Sequence, residues 1–189
     1  MRLETQRLLI RNWQERDREL FHRINSDERV MAFFPFRRDR AEADRVMDLL
    51  RDAYAERGYG FAALELRANG ETIGFAGMQP TGLEPAFAPD EVEIGWRLAP
   101  EHWRKGYVSE AAEALVDHAF SALDLPEIVS FAVATNHRST AVMERLGMRR
   151  APQEDFDHPR VPDSHPHLKR HVVYRLSRSD WRQRKKAAP

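Results

Sequence analysis

Nine consecutive residues carry the clearest chemical signal in this chain: Trp103, Arg104, Lys105, Gly106, Tyr107, Val108, Ser109, Glu110 and Ala111. A basic turn with one glycine, set between a strand-like segment and an amphipathic helical one, aims backbone N–H groups at an anion. Gly106 lets the backbone approach closely, and Arg104 and Lys105 add charge beside it. A pyrophosphate suits that arrangement, although a solvated connection has the same composition. A second unit sharpens the signal. A strand-like stretch over 127–135 leads to Asn136, a good N-cap, and into a helix that Gly147 should stop.

The elements that must hold these residues follow from periodicity. Residues 7–13 read as a first strand and the apolar positions Leu20, Phe21 and Ile24 as a helix. The run 30–36 is apolar but broken by Pro35, so a turn. A second helix is expected over 39–57, with Val46, Leu49, Leu50 and Tyr54 on one face. Strands over 59–67 and 71–79 flank Asn69-Gly70, a strong hairpin signal. Residues 92–99 alternate as a half-buried strand ahead of the basic turn, and a helix follows over 111–123. After the Asn-capped helix come a short strand over 148–152, a long polar loop over 153–170 and a last strand over 171–176. The expectation is α/β (α+β): a mixed, mostly antiparallel sheet of about seven strands with helices on both faces. Residues 1–178 read as one domain and 179–189 as a basic, disordered tail.

Composition narrows the chemistry. Lys+Arg and Asp+Glu both number 30, so no global field attracts nucleic acid. There are no cysteines, which removes disulfides, thiolate metal sites and a cysteinyl intermediate together. No apolar stretch approaches the ~20 residues of a membrane span, and no signal peptide opens the chain. A cytoplasmic protein is expected, with no nucleic-acid or membrane partner. Whether it forms a homodimer is not readable. His158, His165, His167 and His171 cluster late in the chain, but none of the usual ligand spacings is present and no metal is expected.

The motifs, in order, resemble the GNAT superfamily of acetyl-coenzyme-A-dependent N-acyltransferases. The branch that includes the ribosomal-protein N-terminal acetyltransferases is most similar. Leu3-Glu4-Thr5-Gln6-Arg7-Leu8-Leu9-Ile10-Arg11, Glu93-Ile94-Gly95-Trp96, the 103–111 turn and Asn136-x-x-Ser139 followed by Glu144-Arg145-Leu146-Gly147-Met148 carry the resemblance, over roughly 3–177. It implies acetyl-CoA as co-substrate, and two parallel strands that splay in the middle of the sheet around the pantetheine arm. The pyrophosphate would sit on the amides of Arg104, Lys105, Gly106, Tyr107, Val108 and Ser109. The pantetheine amides would meet the backbone of Trp96, Arg97 and Leu98, and Asn136 would hydrogen-bond the same arm.

Acetyl transfer to an amine needs a base, an oxyanion donor and a proton for the leaving thiolate. Glu93 is the base candidate: an acid in an apolar strand is either satisfied by a partner or raised toward neutral by burial. A carboxylate on the solvent side of the strand is the alternative. The family's usual tyrosine acid, seven residues after the asparagine, is replaced by Met143, which leaves Ser139 and, in the last strand, Tyr174. Phe33, Phe34 and Phe36 on one side, and Asp155 and Phe156 on the other, are expected to line the acceptor site. The acceptor is a primary amine, either a protein or peptide N-terminus or a small molecule. A non-catalytic acyl-CoA sensor and a transferase of another acyl group, such as succinyl, are the competing readings.

Overall fold

The computed structural model describes residues 1–187. Where one domain is expected over 1–178, these residues cluster into two compact units: Met1–Gln79 with Gly95–Leu115, and Pro80–Ile94 with Val116 onward. The strands are mostly antiparallel, with one parallel pair, as expected of this α+β class. Nine strands are present among the described residues rather than about seven, because two further pieces of only two residues each, Leu3–Glu4 and Phe156–Asp157, also pair.

In the first unit, strands β1 (Leu3–Glu4), β2 (Leu8–Arg11), β3 (Phe61–Leu66) and β4 (Thr72–Pro80) pair antiparallel in sequence order. Gly70, at φ 73, supplies the left-handed residue of the β3–β4 turn. Helix α1 (Arg18–Ser26) precedes α2 (Arg40–Arg57). Asp39 and Glu42 form a capping box at the start of α2, and Gly58 ends it at φ 77. The buried face of α2 is Ala43, Met47 and Tyr54, while Leu49 is 68% exposed. Leu49 therefore does not belong to the expected apolar face; Val46 and Leu50 only flank it. The core gathers Trp13, Phe21, Ile24, Met47 and Phe75. Beside it, Arg11 is held bidentately by Asp17 (2.7 and 3.0 Å) and donates to Glu65 (2.6 Å), a buried network that joins β2 to β3.

Strand β5 (Val92–Leu98) carries the chain from the second unit into the first. In the first unit Ala99 N–H donates to the Ile73 carbonyl at 3.0 Å. A Cβ at Gly74 would stand 2.3 Å from the Arg97 carbonyl oxygen, so only glycine lets β4 lie this close to β5.

In the second unit β5 pairs in parallel with β6 (Glu127–Val133), Glu93 opposite Val129, and Ser130 Oγ donates to the Ile94 carbonyl at 2.9 Å. Strand β9 (Arg170–Ser177) pairs antiparallel along all of β6, and β7 (Arg149–Arg150) and β8 (Phe156–Asp157) pair with β9. The expected long loop thus contains a strand. Helix α3 (Tyr107–Ser121) starts four residues earlier than expected. Helix α4 (His137–Arg145) is capped by Asn136 and closed by Gly147 at φ 80, with Met148 N–H on the Met143 carbonyl and Gly147 N–H on that of Glu144. Residues 178–187 are not a disordered tail. They form helix α5 (Arg178–Ala187), whose Trp181 is 4% exposed and donates its indole N–H to Asp117 at 2.7 Å. Periodicity hid this helix because only one of its faces carries an apolar anchor. Residues 188–189 lie outside the described residues.

Phe87, Phe131, Phe156, His158 and His171 pack ring on ring in this unit, the two imidazoles 4.8 Å apart. The His171 Nδ1–H donates to the Lys169 carbonyl at 2.8 Å, and His158 Nδ1 accepts from Arg160 N–H at 3.2 Å. His165 and His167 form a separate pair. Among the described residues no group of three or more His, Cys, Asp or Glu side chains is placed to hold a metal ion.

Two predictions follow from these packings. Trp181→Ala removes a buried ring and its hydrogen bond, and should lower stability by about 3 kcal/mol in urea denaturation; an unchanged midpoint would restore the tail to disorder. Burial, then the neighbouring His171 and Arg160 charges, pull His158 down to about 4 from its ordinary 6.5. Above pH 6.5 neither folded nor unfolded chain binds this proton. Between 6.5 and about 4 only the unfolded chain does, so stability should fall across that window. Thermal melting of His158→Phe should show a shallower acid decline than the parent, and parallel curves would refute the assignment.

Candidate active site

The anion turn belongs to the first unit and is exposed. Arg104 (φ 62) and Gly106 (φ 79) are both left-handed, so the backbone reverses twice before entering α3. Glu110 N–H closes the first helical turn on the Gly106 carbonyl at 3.1 Å. The N–H groups of Tyr107, Val108 and Ser109 therefore precede the first intrahelical bond and point out of the helix start. Turn and first helical turn together place an array of N–H groups beside Arg104 and Lys105, the surroundings a pyrophosphate needs.

What fixes this turn was not evident from its own residues. Glu110 accepts from Thr5 Oγ1 (2.5 Å), Arg7 N–H (2.7 Å) and Arg7 Nε (2.6 Å). Burial alone would raise the Glu110 carboxyl, but these three donors hold it below the ordinary carboxylate range. Arg7 also donates through Nη1 to the Lys105 carbonyl at 2.9 Å and lies over the Tyr107 ring at 4.6 Å. The opening motif thus grips the turn from about a hundred residues away. A Cβ on Gly106 would sit 3.3 Å from Arg7 Nη2, a second reason for glycine there.

Downstream on the chain from β4, Trp96, Arg97 and Leu98 complete β5. The Leu98 carbonyl is taken by the Trp103 indole N–H at 2.9 Å, and the Arg97 carbonyl faces Gly74. Phe34 and Phe36 stand together with ring centroids 5.9 Å apart, and Phe33 is half-buried beside them in the sequence.

The second unit holds the remaining residues. Glu93 is half-buried on β5. Asn136 Oδ1 accepts from Ser139 N–H at 3.3 Å, which leaves the amide N–H2 free to donate elsewhere. The Ser139 hydroxyl makes no hydrogen bond among the described residues. Met143, in place of the usual tyrosine, is 1% exposed and serves the core. The Tyr174 hydroxyl donates to Glu144 at 2.9 Å; burial and then that carboxylate raise its pKa. Asp155 is ion-paired with Arg150 and accepts from Val173 N–H, while Phe156 belongs to the aromatic cluster.

Comparison with known proteins identifies the family. The acetyltransferase (GNAT) domain model matches residues 7–149. An uncharacterized N-acetyltransferase of Bacillus subtilis, YnaD, is 30% identical over 153 residues, 79% of this chain and 84% of that protein. The FsC-acetyl coenzyme A-N(2)-transacetylase of Aspergillus fumigatus is 27% identical over 95% of this chain and 77% of its own. A GNAT-family acetyltransferase structure from Bacillus anthracis superposes with a TM-score of 0.78 at 25% identity, covering 95% of this chain and 99% of that one. The chain belongs to the GNAT family, whose members transfer the acetyl group of acetyl-CoA to an amine.

Proposed function

We propose that this enzyme acetylates a primary amine by direct attack on the thioester, without an acyl-enzyme. The observation that carries the reading is the braced turn: an N–H array with two exposed cations at the start of α3, in a chain without cysteine. Gly106, Tyr107, Val108 and Ser109 would hold the pyrophosphate through their N–H groups, with Arg104 and Lys105 neutralising its charge. The backbone of Trp96, Arg97 and Leu98 and the side-chain amide of Asn136 would orient the pantetheine arm. An N–H near Leu98 would stabilise oxygen charge as it develops on the thioester carbonyl.

Glu93 would take the proton of the incoming ammonium, directly or through one water, and so make the amine nucleophilic. Ser139, with its hydroxyl uncommitted, is the first candidate to protonate the departing thiolate. Tyr174 is the second, but its proton is engaged by Glu144 and its raised pKa makes it the weaker donor at neutral pH. Phe33, Phe34, Phe36, Asp155 and Phe156 would shape the acceptor side. The motif resemblance favours the α-amine of a protein or peptide N-terminus, with a small-molecule amine as the other acceptor class.

Gly106→Glu places a carboxylate and a strained φ in the turn. Calorimetric titration with acetyl-CoA should show affinity reduced by about tenfold or more, with circular dichroism unchanged. Equal affinity would remove the turn from the reading. Glu93→Gln should keep acetyl-CoA affinity and lower kcat by about a hundredfold, with the loss shrinking at high pH, where the amine is already deprotonated. A pH-independent loss would argue against a base role.

A further inference from the structure

Nearly every buried or half-buried arginine here is neutralised by carboxylates. Arg11 has Asp17 and Glu65, Arg18 has Glu15 and Asp48, and Arg175 has Glu91, Glu127 and Glu154 at 2.5–2.6 Å. Arg97 and Arg38, both in the first unit, are different. Arg97 donates to Asn25 Oδ1 at 2.5 Å and stacks on Phe34 (4.2 Å) and Phe75 (5.3 Å). Arg38 lies over Phe36 at 4.6 Å, and its Nε is buried without a hydrogen-bond partner. Among the described residues neither guanidinium makes an ion pair. The charge that Arg97 does feel is the like charge of Arg38. Burial and then that repulsion pull Arg97 down to about 9.

The pair is built, not accidental. Asn25 is 1% exposed and its amide donates to the Phe21 carbonyl at 2.7 Å, which turns Oδ1 toward Arg97. Its backbone carbonyl accepts Arg38 N–H at 3.0 Å. One buried asparagine therefore positions both arginines. Holding two desolvated cations together without a counterion is unfavourable, and an anion between them would relieve both charges. The phenyl rings cover guanidinium faces, so recognition is left to the edges, where N–H groups suit a planar, bidentate partner. That partner is a carboxylate.

We propose that Arg97 and Arg38 form a carboxylate-binding site serving the transfer reaction. This deepens the function proposed above and rests on it through Phe34 and Phe36, the expected acceptor wall, which are the rings that hold the two guanidiniums. A Cβ on Gly95 would meet the Phe61 ring, itself 5.5 Å from Phe75, so Gly95 and Arg97 share a face of β5. The carboxylate comes either from the acceptor, as in an α-amino acid, or from the acyl chain, as in succinyl-CoA.

The decisive pair of ligands is N-acetylphenylalanine and its carboxamide, titrated into the full-length protein. The acid should bind about tenfold tighter or better. Arg38→Met and Arg97→Met should each bring the two to within about twofold, with Arg97→Lys in between. Thermal melting identifies a variant that fails to fold, and Arg38 supplies the second readout. Equal binding of acid and amide by the parent, or a preference that survives in both folded variants, overturns the site. A merely structural stacking role would move stability but not this ratio. Turnover then separates the sources. If kcat/KM for phenylalanine over phenylalaninamide carries the preference, and Arg38→Met erases it, the acceptor brings the carboxylate. If succinyl-CoA over acetyl-CoA carries it instead, the acyl group does. If no amine is acetylated by the parent, the acceptor reading fails, while the binding pair still decides the site.

Discussion

The functional geometry depends on a single carboxylate. Glu110 lies in the first turn of α3, where the helix start favours negative charge, and it gathers three donors from Thr5 and Arg7. Without it, the Arg7 side chain would keep only the Lys105 carbonyl and the Tyr107 ring, and the guanidinium that holds that carbonyl would be less firmly fixed. The turn's two left-handed residues would then be free to relax. The phosphate site proposed here is made of backbone N–H groups and has no side chain of its own to enforce its shape, so the enforcement must come from outside the turn. Here it comes from the beginning of the chain.

Much of this was legible in the sequence, where local chemistry decides the outcome. Asn69-Gly70 placed the β3–β4 hairpin, and Asn136 and Gly147 both ends of α4. Each of these is a contact between residues a few positions apart. The basic turn was legible for the same reason. The brace was not, because Arg7 and Glu110 meet only after folding, and neither residue differs in type from the many other arginines and glutamates. Leu49 and α5 show the converse. Periodicity assigned Leu49 to a face that the neighbouring elements do not cover, and a buried tryptophan, with ion pairs from Lys185 to Asp117 and from Arg149 to Asp180, docks a helix whose composition suggested a solvated tail.

The neutral overall charge conceals how unevenly the charges are used. Most arginines work as structural connectors: Arg11 joins two strands, and Arg175 gathers carboxylates from β6 and from the segments before β5 and after β7. Such connectors are worth little at the surface but much when shielded, because their partners would be stranded by their loss. Arg97 and Arg38 stand out against that pattern. The distinction between a connector and a binding group lies in what is missing around it, and no composition or motif count reveals it.

The long ladder between β6 and β9 has a consequence for synthesis. All seven residues of β6 find their antiparallel partners in β9, yet α4 and the segment up to Lys169 are translated between them. During that interval β6 leaves the ribosome with an unpaired, largely apolar edge, the kind of edge that recruits strands from other chains. A nascent chain stalled in this interval would be a strong client for chaperones. Completion of β9, rather than of the turn before α3, is what covers this edge of β6.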